Sequence, residues 1–303
     1  MKPGKSKELV SAVQGDVKVL ARGLLQRRLG DQLYLNQLQE ELGQGAVEAF
    51  KLLESQGLVG VEGNAISYLN YSQLWGRTGW GTVIALMPLP FSRRFEGLAT
   101  GLHQAFQDAG IPLRLGFIRG ATRRVDALLE GRCDLIVSTK MTIRLDMEMG
   151  RPLSFLHIWG FQSYVKEHVV VFRDPRARKI RRGMRVALDP VSVDQTILTS
   201  HECGGIDVKF VDSSYARTFE MLENGKVDAV VWSLDELDQL DLDYNYQSLS
   251  DRPHRVVGED TVSALAVSRD EAELGGVLQL LVDFAQVESI QQRVVRGEIK
   301  PWY

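Results

Sequence analysis

The sequence predicts an α/β protein in which two lobes of like build follow a small helical domain. Three observations carry this. From residue 82 onward, strand-like and helix-like segments alternate, the pattern of parallel α/β sheets. The stretch RRVDALLEGRCDLIVST, residues 123–139, is written again in other residues as RTFEMLENGKVDAVVWS, residues 217–233. Residues 1–70 show helical periodicity without that alternation. The expected division is a domain over 1–70, a connector over 71–81 and a bilobal domain over 82–303. The first lobe would take 82–165 and 259–303, the second 166–258.

The elements follow in order. In LYLNQLQEEL, Leu35, Leu38 and Leu42 fall at i, i+3 and i+7; in GAVEAFKLLESQG, so do Ala46, Ala49, Phe50 and Leu53, with i+4 added. Both are one-sided helices that need a partner. Gly57 suits the end of the second. LVGVEGNAISYL then reads as a hairpin about Gly63-Asn64. Helix, tight turn, helix, hairpin is the order of a winged helix-turn-helix. The glycines of YSQLWGRTGWG break any long helix, and Trp75 and Trp80 are placed to pack the connector down. Beyond it come the strand TVIALM and a helix from Ser92 with Phe95, Leu98, Ala99, Leu102 and Phe106 on one face. The strand PLRLGFI, a short helix over 122–130 and the strand CDLIVS follow. The cycle repeats as MRVALD, helix 192–202, IDVKFV, helix 214–224 and VDAVVWS. TVSALAVS is a further strand, followed by a long helix over 271–287 and a terminal one over 289–296.

Aligning Gly131 with Gly225 sets Arg123 on Arg217, Leu128 on Leu222 and Asp134 on Asp228. Each unit is an amphipathic helix, a glycine fit for the left-handed C′ position, an acid able to accept from backbone donors at the turn, and an apolar strand. Two α/β lobes imply a cleft, and ligands bind at the carboxyl ends of parallel strands. The loops there hold Ser92, Arg93, Arg119, Thr122, Ser138, Thr139, Ser192, Asp194, Gln195, Tyr215 and Trp232. Ser92 and Ser192 stand where a hydroxyl caps the next helix, and helix N-termini attract anions. Arg119 and Arg123 suit contact with an anion. The expected guest is therefore a small anionic metabolite.

The 303 residues carry a net charge of −3, with 44% hydrophobic and 25% charged. Whole-surface binding to nucleic acid is excluded by that balance; any such contact must be local. No apolar run is long enough for a membrane span, and no apolar segment follows the basic N-terminus as a signal peptide requires. A cytoplasmic protein is expected. Cys133 and Cys203 provide no disulfide framework, and His201 with Cys203 makes a poor metal corner. No metal or cofactor is expected. Met141, Met147 and Met149 are expected to pack between the lobes.

The segments ALMPLPFSRRFEGLATGL, SVDQTIL, VDAVVW and QQRVVRGE together resemble the YhfZ family. The resemblance spans essentially the whole chain and is strongest from residue 80 on. It implies a winged helix-turn-helix head joined to a domain similar to type 2 periplasmic binding proteins, in a predicted regulator of bacterial metabolism. The implied bilobal fold is also similar to the effector domains of LysR-type regulators, which close on small metabolites and alter DNA binding. The head departs from the usual pattern. Its turn is only Gly43-Gln44-Gly45, and residues 31–70 set Lys51 alone against Asp31, Glu40, Glu41, Glu48, Glu54 and Glu62. Phosphate contacts need cations, and these lie earlier: Lys5, Lys7, Arg22, Arg27 and Arg28. DNA contact is expected from those residues with Gln44 and Lys51. The leading expectation is a ligand-responsive transcription regulator, a homodimer because one recognition helix reads few base pairs. The alternatives are a binding module whose DNA head is weak or lost, and an enzyme. Asp194 is the one acid among the loop residues, and catalysis is not expected.

Overall fold

The computed structural model describes residues 15–43, 45–214, 217–240, 244–249 and 258–303. Lys5, Lys7, Gln44 and Tyr215, named above as candidates, lie outside the described residues. Contacts group the chain into two compact units. One joins residues 1–83 with 105–114 and 272–283; the other joins 84–104, 115–271 and 284–303.

In the first unit, helix α1 (residues 15–25) buries Leu20, Ala21, Leu24 and Leu25. Helices α2 (Leu35–Leu42) and α3 (Gly45–Ser55) follow, then the antiparallel strands β1 (Val59–Glu62) and β2 (Ala65–Leu69). Gly63 turns the hairpin at φ 64°, a left-handed conformation that the first position of a tight hairpin turn needs. A stretch unread in the sequence completes the module. Gln32 bridges Ala65, and the amides of Gly30 and Leu33 donate to the carbonyls of Ile66 and Asn64. The order is thus helix, short third strand, helix, helix, hairpin, a winged helix. Leu38, Ala46, Ala49, Phe50 and Leu53 form its core with Ile66. Helix α4 (Tyr71–Trp75) begins what the sequence marks as connector. There Trp75 is buried, donates from Nε1 to the Gly81 carbonyl at 2.7 Å and rests against Trp80. Helix α11 (Ala272–Leu281) also belongs to this unit.

The second unit holds two five-stranded sheets. The first lobe contains β3 (Val83–Met87), α5 (Arg93–Asp108), β4 (Leu113–Phe117), α6 (Ala121–Leu129), β5 (Leu135–Thr139), α7 (Lys140–Glu148) and β6 (Leu153–Ile158). The second contains β7 (His168–Phe172), β8 (Arg185–Leu188), α8 (Val193–Glu202), β9 (Lys209–Asp212), α9 (Thr218–Glu223), β10 (Ala229–Ser233), α10 (Leu234–Leu240) and β11 (Asn245–Ser248). The chain then returns to the first sheet as β12 (Ser263–Ser268), and α12 (Phe284–Val295) closes it. The sheet orders are β4-β3-β5-β12-β6 and β9-β8-β10-β7-β11. They match position for position, with β12 antiparallel to β5 as β7 is to β10.

The repeat is therefore structural. Gly131 and Gly225 take φ 68° and 63°. Each is followed by the same closing bond, Arg132 N–H to the Ala127 carbonyl and Lys226 N–H to that of Met221. The repeated acids do something other than cap the turn. Asp134 accepts from the Ile84 amide, and Asp228 from the Arg185 amide and side chain, each on the neighbouring strand. A carboxylate there satisfies a donor at the start of the strand beside it, which helps set the register.

Strand β7 alternates its burial, Val169 and Val171 toward one cluster, Val170 and Phe172 toward another. Such a strand is covered on both faces. Strands β6, β7 and β11 do not stand out in the sequence, because they join their sheets out of the strand–helix alternation. The long helix expected over 271–287 is broken: α11 stops at Leu281 and α12 starts at Phe284, at the boundary of the two units. Phe284 is buried, and its carbonyl accepts from Trp159 Nε1 at 2.9 Å. Two of the three methionines do not pack between lobes. Met141 is buried and Met147 joins the first lobe's core, while Met149 is 71% exposed.

Candidate functional site

The two lobes of the second unit enclose a cavity of about 130 Å³ at the carboxyl ends of their parallel strands. The first lobe supplies the Pro88–Phe91 turn after β3, Phe95 of α5, and Arg119, Gly120 and Arg124 around the start of α6. The second supplies Asp189 and Ser192 before α8, Asp194 and Gln195 within it, Trp232 and Ser233 at the end of β10, and Glu236 in α10. Tyr164 and Val165 line it from the first crossover, and His168 from the start of β7.

Arg124 is 2% exposed. It stands on the same face of α6 as Ala121, Val125 and Leu128. Its Nε donates to the Val137 carbonyl at 3.0 Å, Nη1 to that of Ile118 at 2.8 Å, and Nη2 to Tyr164 Oη at 3.3 Å. These partners are neutral, since burial pushes the Tyr164 hydroxyl up to about 12. The guanidinium has five N–H groups, so it faces the cavity with its charge unanswered by any hydrogen-bonded carboxylate among the described residues. Arg119 ion-pairs across the cleft with Asp189. Its Nε, like the hydroxyl of Ser233, is buried without a hydrogen-bond partner among the described residues. Buried polar atoms are nearly always satisfied. These two orphans, one from each lobe, mark where a guest's polar groups belong.

Three ties cross the cleft. Besides Arg119 with Asp189, Asp194 Oδ1 accepts from Thr139 Oγ1 at 2.7 Å and Thr142 Oγ1 at 2.6 Å. Burial raises the Asp194 carboxyl above its ordinary range, while the two threonines, His168 and Arg124 pull the other way. Arg94 Nε donates to Asp235 Oδ1 at 2.8 Å, and Asp235 Oδ2 also takes the Lys166 amide. Gly120 sits between the lobes with φ 89°, where a Cβ would lie 2.9 Å from the Val191 carbonyl. Only glycine fits that approach. The crossovers themselves are laced together: Tyr164 N–H donates to the Thr261 carbonyl, and His168 Nδ1 meets Asp260 Oδ2 at 2.9 Å.

Of the residues expected in the cleft, the structure brings Arg119, Ser192, Asp194, Gln195 and Trp232 to the cavity. Gln195 is half occupied elsewhere, accepting from the Asp189 amide and donating to the Val231 carbonyl. Thr139 serves the tie to Asp194 instead of lining the cavity. Ser92 is a buried N-cap, its Oγ accepting from the Phe95 amide at 3.3 Å. Ser192 occupies the cap position but makes no side-chain cap bond. Ser138 is wholly buried in β5. Thr122 is half-buried and does not line the cavity. Arg93 and Arg123 are exposed and point away from it, Arg93 lying against Gly297. Arg124, Tyr164, His168, Asp189, Ser233 and Glu236 are polar lining residues that the sequence's candidates do not include.

The head's cations are partly committed. Arg22 donates to the Thr78 carbonyl, pairs with Glu273 and stacks 4.7 Å over Trp80, so it serves packing within its unit. Arg27 and Arg28 flank the third strand, Arg27 Nη1 reaching the Gln32 carbonyl. On α3, Lys51 is exposed beside Glu48 and Glu54.

No group of three metal-ligating side chains forms among the described residues, and no helix there is long and apolar enough to cross a membrane. Residues 70–303 match the family model described as the YhfZ C-terminal domain. The chain is 32% identical to the uncharacterized protein YhfZ of Escherichia coli K12, over 95% of this chain and 96% of that one. The crystal structure of YhfZ from Shigella flexneri superposes with a TM-score of 0.63 at 32% identity, covering 77% of this chain and 98% of that chain. The alkanesulfonate-binding protein SsuA of Xanthomonas axonopodis pv. citri, solved bound to MOPS, has a TM-score of 0.54 at 16% identity, covering 72% and 75%. That last likeness is one of fold.

Proposed function

The chain belongs to the YhfZ family, and on that premise we propose that it is a cytoplasmic, ligand-responsive transcription regulator. A small metabolite with an acidic group is held between the lobes, and the winged helix of a homodimer contacts DNA. The observation that carries the ligand half is Arg124, a buried guanidinium whose hydrogen bonds among the described residues go only to neutral groups, near two orphaned polar atoms. A guest carboxylate or similar acid supplies the missing acceptor. The likeness of fold to SsuA, a binding protein, supports capture over chemistry. The reading assigns no catalysis: His168 is held by Asp260 at the crossovers, and Asp194 by the two threonines.

The DNA half rests on the winged-helix order of residues 15–69. A second reading has its own observation: α3 exposes Glu48, Lys51 and Glu54, and Arg22 is occupied. On that reading the protein binds its metabolite and no DNA. Fluorescence anisotropy with duplex DNA from upstream of its own gene, at low salt and then over a salt series, separates the two. Salt-dependent binding altered by ligand is expected for a regulator. Ligand-induced stabilisation without DNA affinity at any salt selects the second.

A further inference from the structure

The cavity is polarised. Its arginines, Arg119 and Arg124, both come from the first lobe; its carboxylates, Asp189, Asp194 and Glu236, all come from the second. A positive wall faces a negative one. Asp194 is already answered by the hydroxyls of Thr139 and Thr142. Asp189 and Glu236 are the other acids of the far wall, 6% and 5% exposed.

The two walls touch through Arg119 and Asp189. A simple anion that takes Arg119 leaves Asp189 as a buried charge without its partner, which is costly. An amine that takes Asp189 does the same to Arg119. A guest with both charges replaces the direct ion pair with two pairs and strands neither side. The volume of about 130 Å³ sets the scale, since a cavity of about 150 Å³ takes benzene.

We infer that the guest is a small zwitterion, an amino acid or short amino-carboxylate, its acid on Arg119 and Arg124 and its ammonium on Asp189 and Glu236. The inference rests on the cleft being a ligand site for an acidic metabolite and adds the second charge. It also accounts for the aromatic part of the lining: Phe91, Phe95 and Trp232 are the apolar surfaces left for the guest's carbon skeleton.

The test is a set of matched triplets applied to the full-length protein by thermal shift and calorimetry. Each triplet is an amino acid of two to six carbons, its deaminated acid and its decarboxylated amine, for example alanine, propionate and ethylamine. At least one amino acid should bind about tenfold or more tightly than both counterparts, the size of a charge-assisted hydrogen bond to a buried group. Equal binding by the deaminated acid overturns the inference and leaves the acidic-metabolite reading standing. No binding by any zwitterion or acid overturns both. In Asp189→Asn a simple anion no longer strands a carboxylate, so the preference for the amino acid over its deaminated acid should narrow. A preference unchanged in both Asp189→Asn and Glu236→Gln overturns the placement of the ammonium group.

Discussion

Arg124 brings a full charge into a place 2% exposed, and such a charge is tolerated only with hydrogen bonds around it. Two backbone carbonyls and one phenol provide them. Glutamine at 124 cannot span both carbonyls, so Arg124→Gln should lose about 2–4 kcal/mol of stability by urea unfolding. It should lose acid binding altogether. Loop reasoning could not find this residue, because it sits on a helix face and not in a loop. The visible signal was an arginine at an apolar position of α6, with Arg123 beside it on the exposed side. Ser192, Asp194 and Trp232 were legible because they stand at the carboxyl ends of the parallel strands β8 and β10 or in the turn and helix that follow. His168 was not: β7 runs antiparallel, so its first residue, not its last, reaches the cavity. A second single-residue effect belongs to the repeated acids. The Arg185 side chain, then its amide and Arg173, hold the Asp228 carboxyl down at about 2. Its ordinary unfolded value is about 3.9. The stability this adds is whole above that value and is lost as pH falls toward 2. Asp228→Asn should be less stable at pH 7 and show a shallower acid limb in urea midpoints measured from pH 5 to 2.

At the scale of elements, position and contact separate. Ser92 and Ser192 both precede a helix at the mouth of a β–α loop, and sequence alone gives them one role. Only Ser92 makes the cap bond, to the Phe95 amide; Ser192 does not. Ser92→Ala should therefore cost about 1 kcal/mol. Ser192→Ala should stay within about 0.5 kcal/mol while altering ligand affinity, since Ser192 lines the cavity. Equal losses in thermal or urea unfolding would contradict this distinction. The parallel strands and their helices were legible because alternation and glycine stops are local properties. The third strand at Gln32, the antiparallel pairings and the break before Phe284 were not. Each is set by a partner far along the chain: Ala65 for Gln32, Val137 and His157 for Leu265, Trp159 for Phe284.

Across the two-lobed unit, closure depends on a few polar ties spread along the cleft. Arg94 and Asp235 form one of them, with side chains 12% and 14% exposed. The same Asp235 accepts the Lys166 amide at the first crossover, so it fastens both a lobe and the hinge. Asp235→Ala removes the acceptor from both donors and leaves the cavity lining untouched. The lobes should then separate more of the time. Fluorescence transfer between labels placed one on each lobe should show a broader, longer distance distribution without ligand. Apparent affinity should fall by the fraction of molecules no longer closed, about tenfold for a tie worth about 1.4 kcal/mol. Saturating ligand should restore the native distance, because a guest that touches both walls favours the closed arrangement by its own contacts. An unchanged distance with weakened binding would place Asp235 in the site and not in the hinge. An unchanged distance and affinity would mean that the Asp194 and Asp189 ties hold the lobes without it.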